Sequence, residues 1–274
     1  LDISALLRQC RSIDPGCPGY IYYCCLNDFG KMSLRPTALA AALSVLALGS
    51  PLISGCTNPL AIISSSRGAE KYEQGDYQGA IADFTRAIAI NPRYADAYLK
   101  RGNAKDELGD YEGAISDYTK AIEVNPRYAD AYYNRGVVKY DLEDYQGAIA
   151  DYTKAIEIDP QHADAYNNRG NLRSSSEDNQ AAIADFDKAI EIDPQDDYYY
   201  YNRGNSKFNL EDYQGAIADY TKAIEINSQD SDHYTNRGIA KELANDLEGA
   251  CGDWRRAVDL GDQKPVEWVK YQCS

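Results

Sequence analysis

The sequence has few of the residues on which catalysis usually depends. Only two of its 274 residues are histidine, His162 and His233, and neither has a cysteine or carboxylate at the spacing of a metal or nucleophile motif. Its glycines form no phosphate-binding loop. Acidic residues outnumber basic ones by 43 to 28, and the net charge of −15 argues against nucleic-acid binding. We therefore expect no enzyme, no metal site, no cofactor and no nucleic-acid partner.

What the sequence does contain is a regular repeat. Arg-Gly pairs recur six times at an interval of 34 residues, from Arg67-Gly68 to Arg237-Gly238, without insertion or deletion. A strict period of this length indicates a stacked solenoid, in which each unit buries its apolar face against its neighbours. Six repeats are predicted within 61–264, namely 61–94, 95–128, 129–162, 163–196, 197–230 and 231–264.

Each repeat is predicted to be a helical hairpin. In 95–128 both halves carry apolar or small residues at helical spacing, and Gly109-Asp110 separates them. The aspartate of this turn recurs in all six repeats, where it can cap the second helix, helix B. Gly102 on the first helix, helix A, is expected to leave room for Ala114 on helix B. The pattern favours close packing of the two helices.

Helix B also carries an aromatic ring in every repeat, and together these features resemble the tetratricopeptide repeat (TPR) family. The rings are Phe84, Tyr118, Tyr152, Phe186, Tyr220 and Trp254. The resemblance implies an all-α fold, a right-handed superhelical solenoid of six helix-turn-helix repeats, with residues 265–274 as a C-terminal capping helix. It also implies that a protein or peptide segment binds in a concave groove lined by the A helices.

One departure from the family pattern is systematic. Where the family usually has a large apolar residue before the helix-A glycine, this chain has arginine, and helix B carries aspartate before its aromatic ring. A buried arginine must be paired, and its planar fork suits a carboxylate. We expect structural ion pairs within or between repeats; the alternative is a charged track for a ligand along the groove. The residues are Arg67, Arg101, Arg135, Arg169, Arg203 and Arg237, with Asp83, Asp117, Asp151, Asp185, Asp219 and Asp253.

The resemblance places a set of mostly neutral side chains in the groove. A row of asparagines can donate to and accept from a peptide backbone; the alternative is that asparagine at these positions is a general feature of the family. Some relatives clamp a carboxylate with basic residues, whereas this chain has Asp96, Asp130 and Asp164 at one such position, which favours a neutral or basic partner. The predicted groove residues are Lys100, Asn103, Tyr133, Asn134, Asn168, Asn171, Tyr198, Tyr201, Asn202, Asn205 and Asn236.

The chain ahead of the repeats has the layout of a secretory signal. Met32, the only methionine, opens a short positively charged start, and Thr37–Leu52 is rich in alanine and leucine. The residues that follow, Ile-Ser-Gly-Cys ending at Cys56, resemble the lipobox of bacterial lipoproteins, whose cysteine receives a diacylglycerol before cleavage on its N-terminal side. Because the apolar stretch is shorter than the ~20 residues of a membrane-spanning helix, an uncleaved membrane anchor is the weaker alternative. A signal cut elsewhere is the other.

The lipobox resemblance implies a division of the front of the chain. Residues 1–31 are predicted to be a disordered upstream over-extension, 32–55 the signal peptide, and 56–60 the lipidated Cys56 with a short tether. Export would also allow Cys251 and Cys273 to form a disulfide; otherwise Cys251 is a small buried hydrophobe.

Three functional hypotheses follow. The first is a non-catalytic scaffold, lipid-anchored in the bacterial cell envelope, that binds other proteins. The second is a soluble cytoplasmic adaptor or co-chaperone, if the front segment is never used for export. The third is an accessory subunit of an envelope enzyme, which contributes binding but no chemistry.

Overall fold

The computed structural model describes residues 58–273, and every regular element in that range is an α-helix. The described residues belong to two compact units, one ending at Asn125 and the other beginning at Pro126. The first unit contains α1 (Pro59–Glu73), α2 (Tyr77–Ile90), α3 (Ala95–Asp106) and α4 (Tyr111–Val124). The second contains α5 (Ala129–Asp141), α6 (Tyr145–Ile158), α7 (Ala163–Ser175), α8 (Asn179–Ile192), α9 (Asp197–Asn209), α10 (Tyr213–Ile226), α11 (Ser231–Leu243), α12 (Leu247–Asp259) and α13 (Val266–Gln272).

The helices pair as the 34-residue period predicts. Odd-numbered helices up to α11 are A helices, and each packs against the B helix that follows it. Within each unit, every B helix also packs against the next A helix, and α13 packs on α12 at the end of the second unit. The predicted all-α fold of helix-turn-helix repeats is confirmed. Within 58–273 no helix is both long enough and apolar enough to span a bilayer.

The turn between helices A and B depends on two successive residues. The first has a φ between +61° and +76°, in the left-handed region that favours glycine. The second is the repeated aspartate, whose Oδ1 accepts a hydrogen bond of 2.9–3.3 Å from the backbone N–H three residues later. The aspartate thus satisfies a backbone donor at the start of every B helix, as an N-cap does. The first turn residues are Gly75, Gly109, Glu143, Glu177, Glu211 and Asn245.

The helix-A glycine makes room for the helix-B ring. A Cβ atom on Gly102 would lie 2.6 Å from Cε1 of Tyr118, so the side chain nearest to this glycine is the Tyr118 ring rather than Ala114. Tyr118 is almost fully buried, and its hydroxyl donates to Oδ1 of Asn103 at 3.0 Å. Burial raises the pKa of the Tyr118 hydroxyl, which therefore stays protonated. A large ring against a bare backbone sets the distance between the two helices.

This packing predicts opposite effects for two glycine substitutions. Gly170→Ala would place a methyl group 2.8 Å from the Phe186 ring, and the overpacking should destabilise the protein by roughly 1–3 kcal/mol. Gly252 is also helical, but within the described chain no atom apart from those of its own stretch of helix lies within 4 Å of its Cβ position. Gly252→Ala should therefore stabilise the protein by roughly 0.5–1 kcal/mol. Urea unfolding followed by circular dichroism measures both, and equal effects would contradict the packing described.

Candidate functional site

Each repeat encloses one aspartate of helix B whose side chain is at most 7% exposed. The arginine sixteen residues earlier, on helix A of the same repeat, donates to both of its oxygens through Nε and Nη2 at 2.5–3.0 Å. The structure thus joins the twelve predicted residues into six pairs, Arg67–Asp83, Arg101–Asp117, Arg135–Asp151, Arg169–Asp185, Arg203–Asp219 and Arg237–Asp253. A carboxylate buried in this way is not available to a ligand.

A second cation, which sequence reasoning missed, completes each site. Its nitrogen lies 2.7–2.8 Å from Oδ2 of the aspartate, the oxygen that also accepts from the arginine Nε. The signal was present, because a basic residue follows each arginine by four positions, one helical turn along the same face. In the first repeat, the hydrogen bond from Arg67 lowers the pKa of Asp83 to about 2, and Lys71 adds to the effect. The second cations are Lys71, Lys105, Lys139, Arg173, Lys207 and Lys241.

The arginines also connect neighbouring repeats. In the second unit, Nη1 of Arg169 donates to Thr153 and Nη1 of Arg237 donates to Thr221, each at 3.1 Å, and both threonines lie on the preceding B helix. Each of the five later arginines also stacks over a tyrosine three residues earlier, with 5.6–5.7 Å from Cζ to the ring centroid. The six arginine–aspartate pairs therefore lie within repeats, whereas these contacts between repeats are made with threonine.

In the first unit, the predicted groove residues Lys100 and Asn103 line one shallow pocket together with Tyr72. Lys100 also pairs with Asp96 on its own helix at 3.2 Å. Asn103 uses its oxygen to accept the hydroxyl of Tyr118, as described above. These two side chains are therefore close together and already have partners in the structure.

In the second unit, the predicted asparagine row is bonded across repeats. Tyr133 accepts one of these bonds from Asn168, and burial raises the pKa of the Tyr133 hydroxyl to about 12. Asn236 donates to Asn205 as well, at 3.3 Å, so this amide joins two partners on α9. Asn134 and Asn171 lie half-buried on α5 and α7, and Asn205 accepts the Tyr220 hydroxyl at 2.7 Å. The cross-repeat bonds, of 2.8–3.2 Å, run from Asn168 to Tyr133, from Asn202 to Asn167 and from Asn236 to Tyr201.

The run of four tyrosines that begins α9 separates into different environments. Tyr198 is 55% exposed. Tyr199 is buried, and its hydroxyl donates to Asp164 of the preceding repeat at 3.0 Å. Tyr201, which was also expected in the groove, is only half-exposed and lies 5.8 Å from the Tyr220 ring. Of the two tyrosines of this run that were predicted to line the groove, Tyr198 is therefore the more exposed.

The second unit brings together three groups that sequence reasoning did not connect. Ligand atoms of Asp197, Asp230 and His233 lie within 4.8 Å of one another, close enough to be considered for a metal ion. Nε2 of His233 is 2.7 Å from Asp197, which is a hydrogen-bond distance. Asp230 caps α11 by accepting from the Asp232 N–H at 2.9 Å. The contacts present therefore give these groups structural roles. The sequence offered no motif here, because His233 and Asp197 are 36 residues apart.

The two cysteines for which a disulfide was considered are joined. Cys251 and Cys273 form a disulfide with their Cα atoms 5.5 Å apart. Trp268 of α13 lies 5.2 Å from Trp254, between ring centroids, so the bridge and the rings hold α13 against α12 together. Cys56, the predicted lipidation site, lies outside the described residues, as do segments 1–31 and 32–55.

The buried ion pairs predict a large effect from a small substitution. Asp219→Asn removes the buried charge that Arg203 and Lys207 share. Arg203 keeps its exposed partner Asp187, but the loss of the buried anion should cost roughly 3–5 kcal/mol. The matched control is Glu225→Gln, which removes an exposed partner of Lys222 and should have no measurable effect. Chemical unfolding of the intact chain distinguishes the two; similar stability of both variants would show that the buried aspartate is dispensable.

Comparison with known proteins agrees with this architecture. The crystal structure of YrrB, described as a TPR protein with an unusual peptide-binding site, is 23% identical with a TM-score of 0.60, and the match covers 69% of this chain and 96% of that one. The crystal structure of MamA is 24% identical with a TM-score of 0.57, and the match covers 66% of this chain and 96% of that one. PilF of Pseudomonas aeruginosa is 17% identical with a TM-score of 0.67, and the match covers 78% of this chain and 97% of that one. A search of curated proteins found no significant match.

Family models match much of the repeat region. Models described as tetratricopeptide repeat match residues 99–163, 163–196 and 198–230, and one described as TPR repeat matches 68–105. Together they cover more than half of the chain. With the helix pairs, the glycine–ring packing and the capped turns described above, these matches show that the chain belongs to the tetratricopeptide repeat family.

Proposed function

We propose that this protein is a non-catalytic scaffold that binds a protein or peptide segment along its A helices and is held in the bacterial cell envelope by a lipid on Cys56. The observation that carries the binding part is the exposed ring of Tyr198 beside a row of half-buried amides in the second unit. An exposed tyrosine offers a large contact area and a polar tip, and such residues dominate the energy of many interfaces.

The position of Tyr198 within its repeat supports this role. The equivalent residue in four other repeats is aspartate, so the tyrosine does not follow from the repeat pattern. Tyrosine is also unnecessary for packing here, since most of its side chain faces solvent. The equivalent residues are Asp96, Asp130, Asp164 and Asp232.

The electrostatics around Tyr198 favour a neutral or basic partner. The exposed carboxylates of Asp164 and Asp193 belong to the same unit. Burial raises the pKa of Asp196, and the charges of Asp197, Asp193 and Asp164 add to the shift, which indicates a negative potential at the start of α9. A lysine or arginine side chain would be attracted there and could stack on the Tyr198 ring. A partner carboxylate would be repelled.

A peptide is the kind of partner that the amide row suits. An asparagine side chain both donates and accepts hydrogen bonds, as an extended peptide backbone does. YrrB, which shares the fold, is described as having a peptide-binding site, and this supports a peptide ligand for the present chain.

Two observations support a location in the cell envelope. The lipobox-like residues that end at Cys56 provide an attachment point, and the acidic surface would not bind anionic lipids by charge. The Cys251–Cys273 bridge fits an oxidising compartment, where disulfides persist. A cytoplasmic adaptor would need neither feature.

The binding proposal predicts a position-specific cross-link. With the photoreactive amino acid p-benzoylphenylalanine at position 198 in living cells, ultraviolet light should attach the partner covalently, and mass spectrometry should identify it. The control is the same amino acid at position 145, because Tyr145 is also exposed but lies at the start of a B helix. Equal cross-linking at both positions, or none at 198, would contradict binding at α9.

The anchoring proposal predicts that substitution of Cys56 removes the acylated protein from the membrane fraction. The native protein should sediment with membranes and begin at an acylated Cys56, as read by intact mass. With Cys56→Ala the lipid has no attachment atom, so the acylated, processed form should disappear from the membrane fraction. A conservative control is Cys251→Ser, which should leave the acyl group in place. A native chain without any acyl group would point instead to the cytoplasmic adaptor.

A further inference from the structure

One face of α1 is apolar and uncovered in the described part of the chain. Leu60 is 55% exposed and Ile63 is 46% exposed. They are three residues apart, so they lie on the same side of the helix. Neighbouring exposed apolar side chains form a continuous patch, and such a patch can mark a surface that contacts something else.

The second repeat shows what these two positions normally do. Their equivalents one repeat later are Tyr94 and Ala97. Ala97 is fully buried in a cluster with Ala87 of the preceding B helix, and Tyr94 packs against the same cluster. The positions of Leu60 and Ile63 are therefore those by which an A helix packs on the repeat before it. Among the described residues no helix precedes α1.

We propose that the membrane surface covers this face of α1, so that the first repeat lies against the bilayer. This proposal rests on the anchoring at Cys56 argued above. It adds a second, non-covalent contact, made by the protein itself, and thereby an orientation of the first repeat relative to the membrane.

The distance between the lipid and the helix is short. Asn58 caps α1 by accepting from the Leu60 N–H at 3.0 Å, and Pro59 occupies the first turn, so the start of the helix is well defined. Cys56 and Pro59 are three positions apart in the sequence, a span of at most about 10 Å. After cleavage at Cys56, only that residue and Thr57 would precede Asn58. Two residues cannot form a helix that covers Leu60 and Ile63.

The charge pattern also favours lipid. No charged side chain occurs between Arg35 and Arg67, although the whole chain carries a net charge of −15. Acidic surfaces gain nothing from anionic headgroups, so an uncharged, apolar face is the part of this protein suited to approach them. The first charge met along α1 is Arg67, which lies one turn beyond Ile63 and is 48% exposed. Its guanidinium is bonded to Asp83, so the uncharged stretch of α1 ends at this residue.

A second copy of the chain is the competing occupant. The tether favours the bilayer, because a lipid surface within about 10 Å is present at high effective concentration, whereas another copy must diffuse to the face. An acyl chain on Cys56 would hold the bilayer beside α1 continuously.

A spin-label measurement tests the proposal on the acylated, full-length processed protein in phosphatidylethanolamine–phosphatidylglycerol vesicles. Ile63→Cys carries the label on the proposed contact face, and Gln78→Cys carries it on an exposed position of α2 as the control. Because Cys56 would be acylated and Cys251 is bridged to Cys273, the new thiol alone should react. At position 63, collisions with a water-soluble nickel reagent should fall several-fold relative to position 78, while collisions with oxygen should rise.

Two results would overturn the proposal. One is equal nickel accessibility at both positions in acylated, vesicle-bound protein, which would leave the face open to water. The other is strong dipolar broadening between labels at position 63 without an increase in oxygen collisions, which would assign the face to a second copy. A protein that lacks the acyl group by mass spectrometry would instead contradict the anchoring itself, so the two failures are distinguishable.

Discussion

Every helical hairpin in the described chain closes around an aspartate that has almost no contact with water. In the fourth repeat, Asp185 receives the fork of Arg169 and one nitrogen of Arg173, both from helix A. Removing a carboxylate from water is costly unless cations replace the lost solvation. The arrangement therefore fixes the register of helix B on helix A. Because Arg169 also reaches Thr153 on the preceding helix, the same side chain aligns one repeat with the next.

The repeated charged residues stabilise the fold, and partner binding is left to other side chains. The repeated arginines and aspartates are occupied by one another, so the charge of the scaffold does not form a ligand track. The A-helix side chains that remain are amides and tyrosines, and in the second unit they bond across repeats, as Asn202 does with Asn167. Specificity is then expected from the residues that depart from the repeat. Tyr198 is the clearest of these, since it is exposed where other repeats have aspartate.

The period of 34 residues was enough to predict the helices, the capped turns and the pairing of arginine with aspartate, because each of these depends on spacing within one repeat. Lys139 could have been found in the same way, since it follows Arg135 by one helical turn. The half-burial of Tyr201 could not, because it depends on how α9 is rotated against its neighbours. The approach of His233 to Asp197 also depends on the angle between successive repeats.

The most direct test of the central claim is a double-mutant cycle on Arg169 and Asp185 in the intact chain. Urea unfolding of the wild type, Arg169→Ala, Asp185→Ala and the double variant gives the coupling free energy between the two side chains. If the buried pair locks the two helices together, the coupling should approach the upper end of the roughly 0.5–3 kcal/mol found for residues in contact. A coupling near zero, with the two single costs adding in the double variant, would show that packing alone holds the hairpin and would contradict the claim.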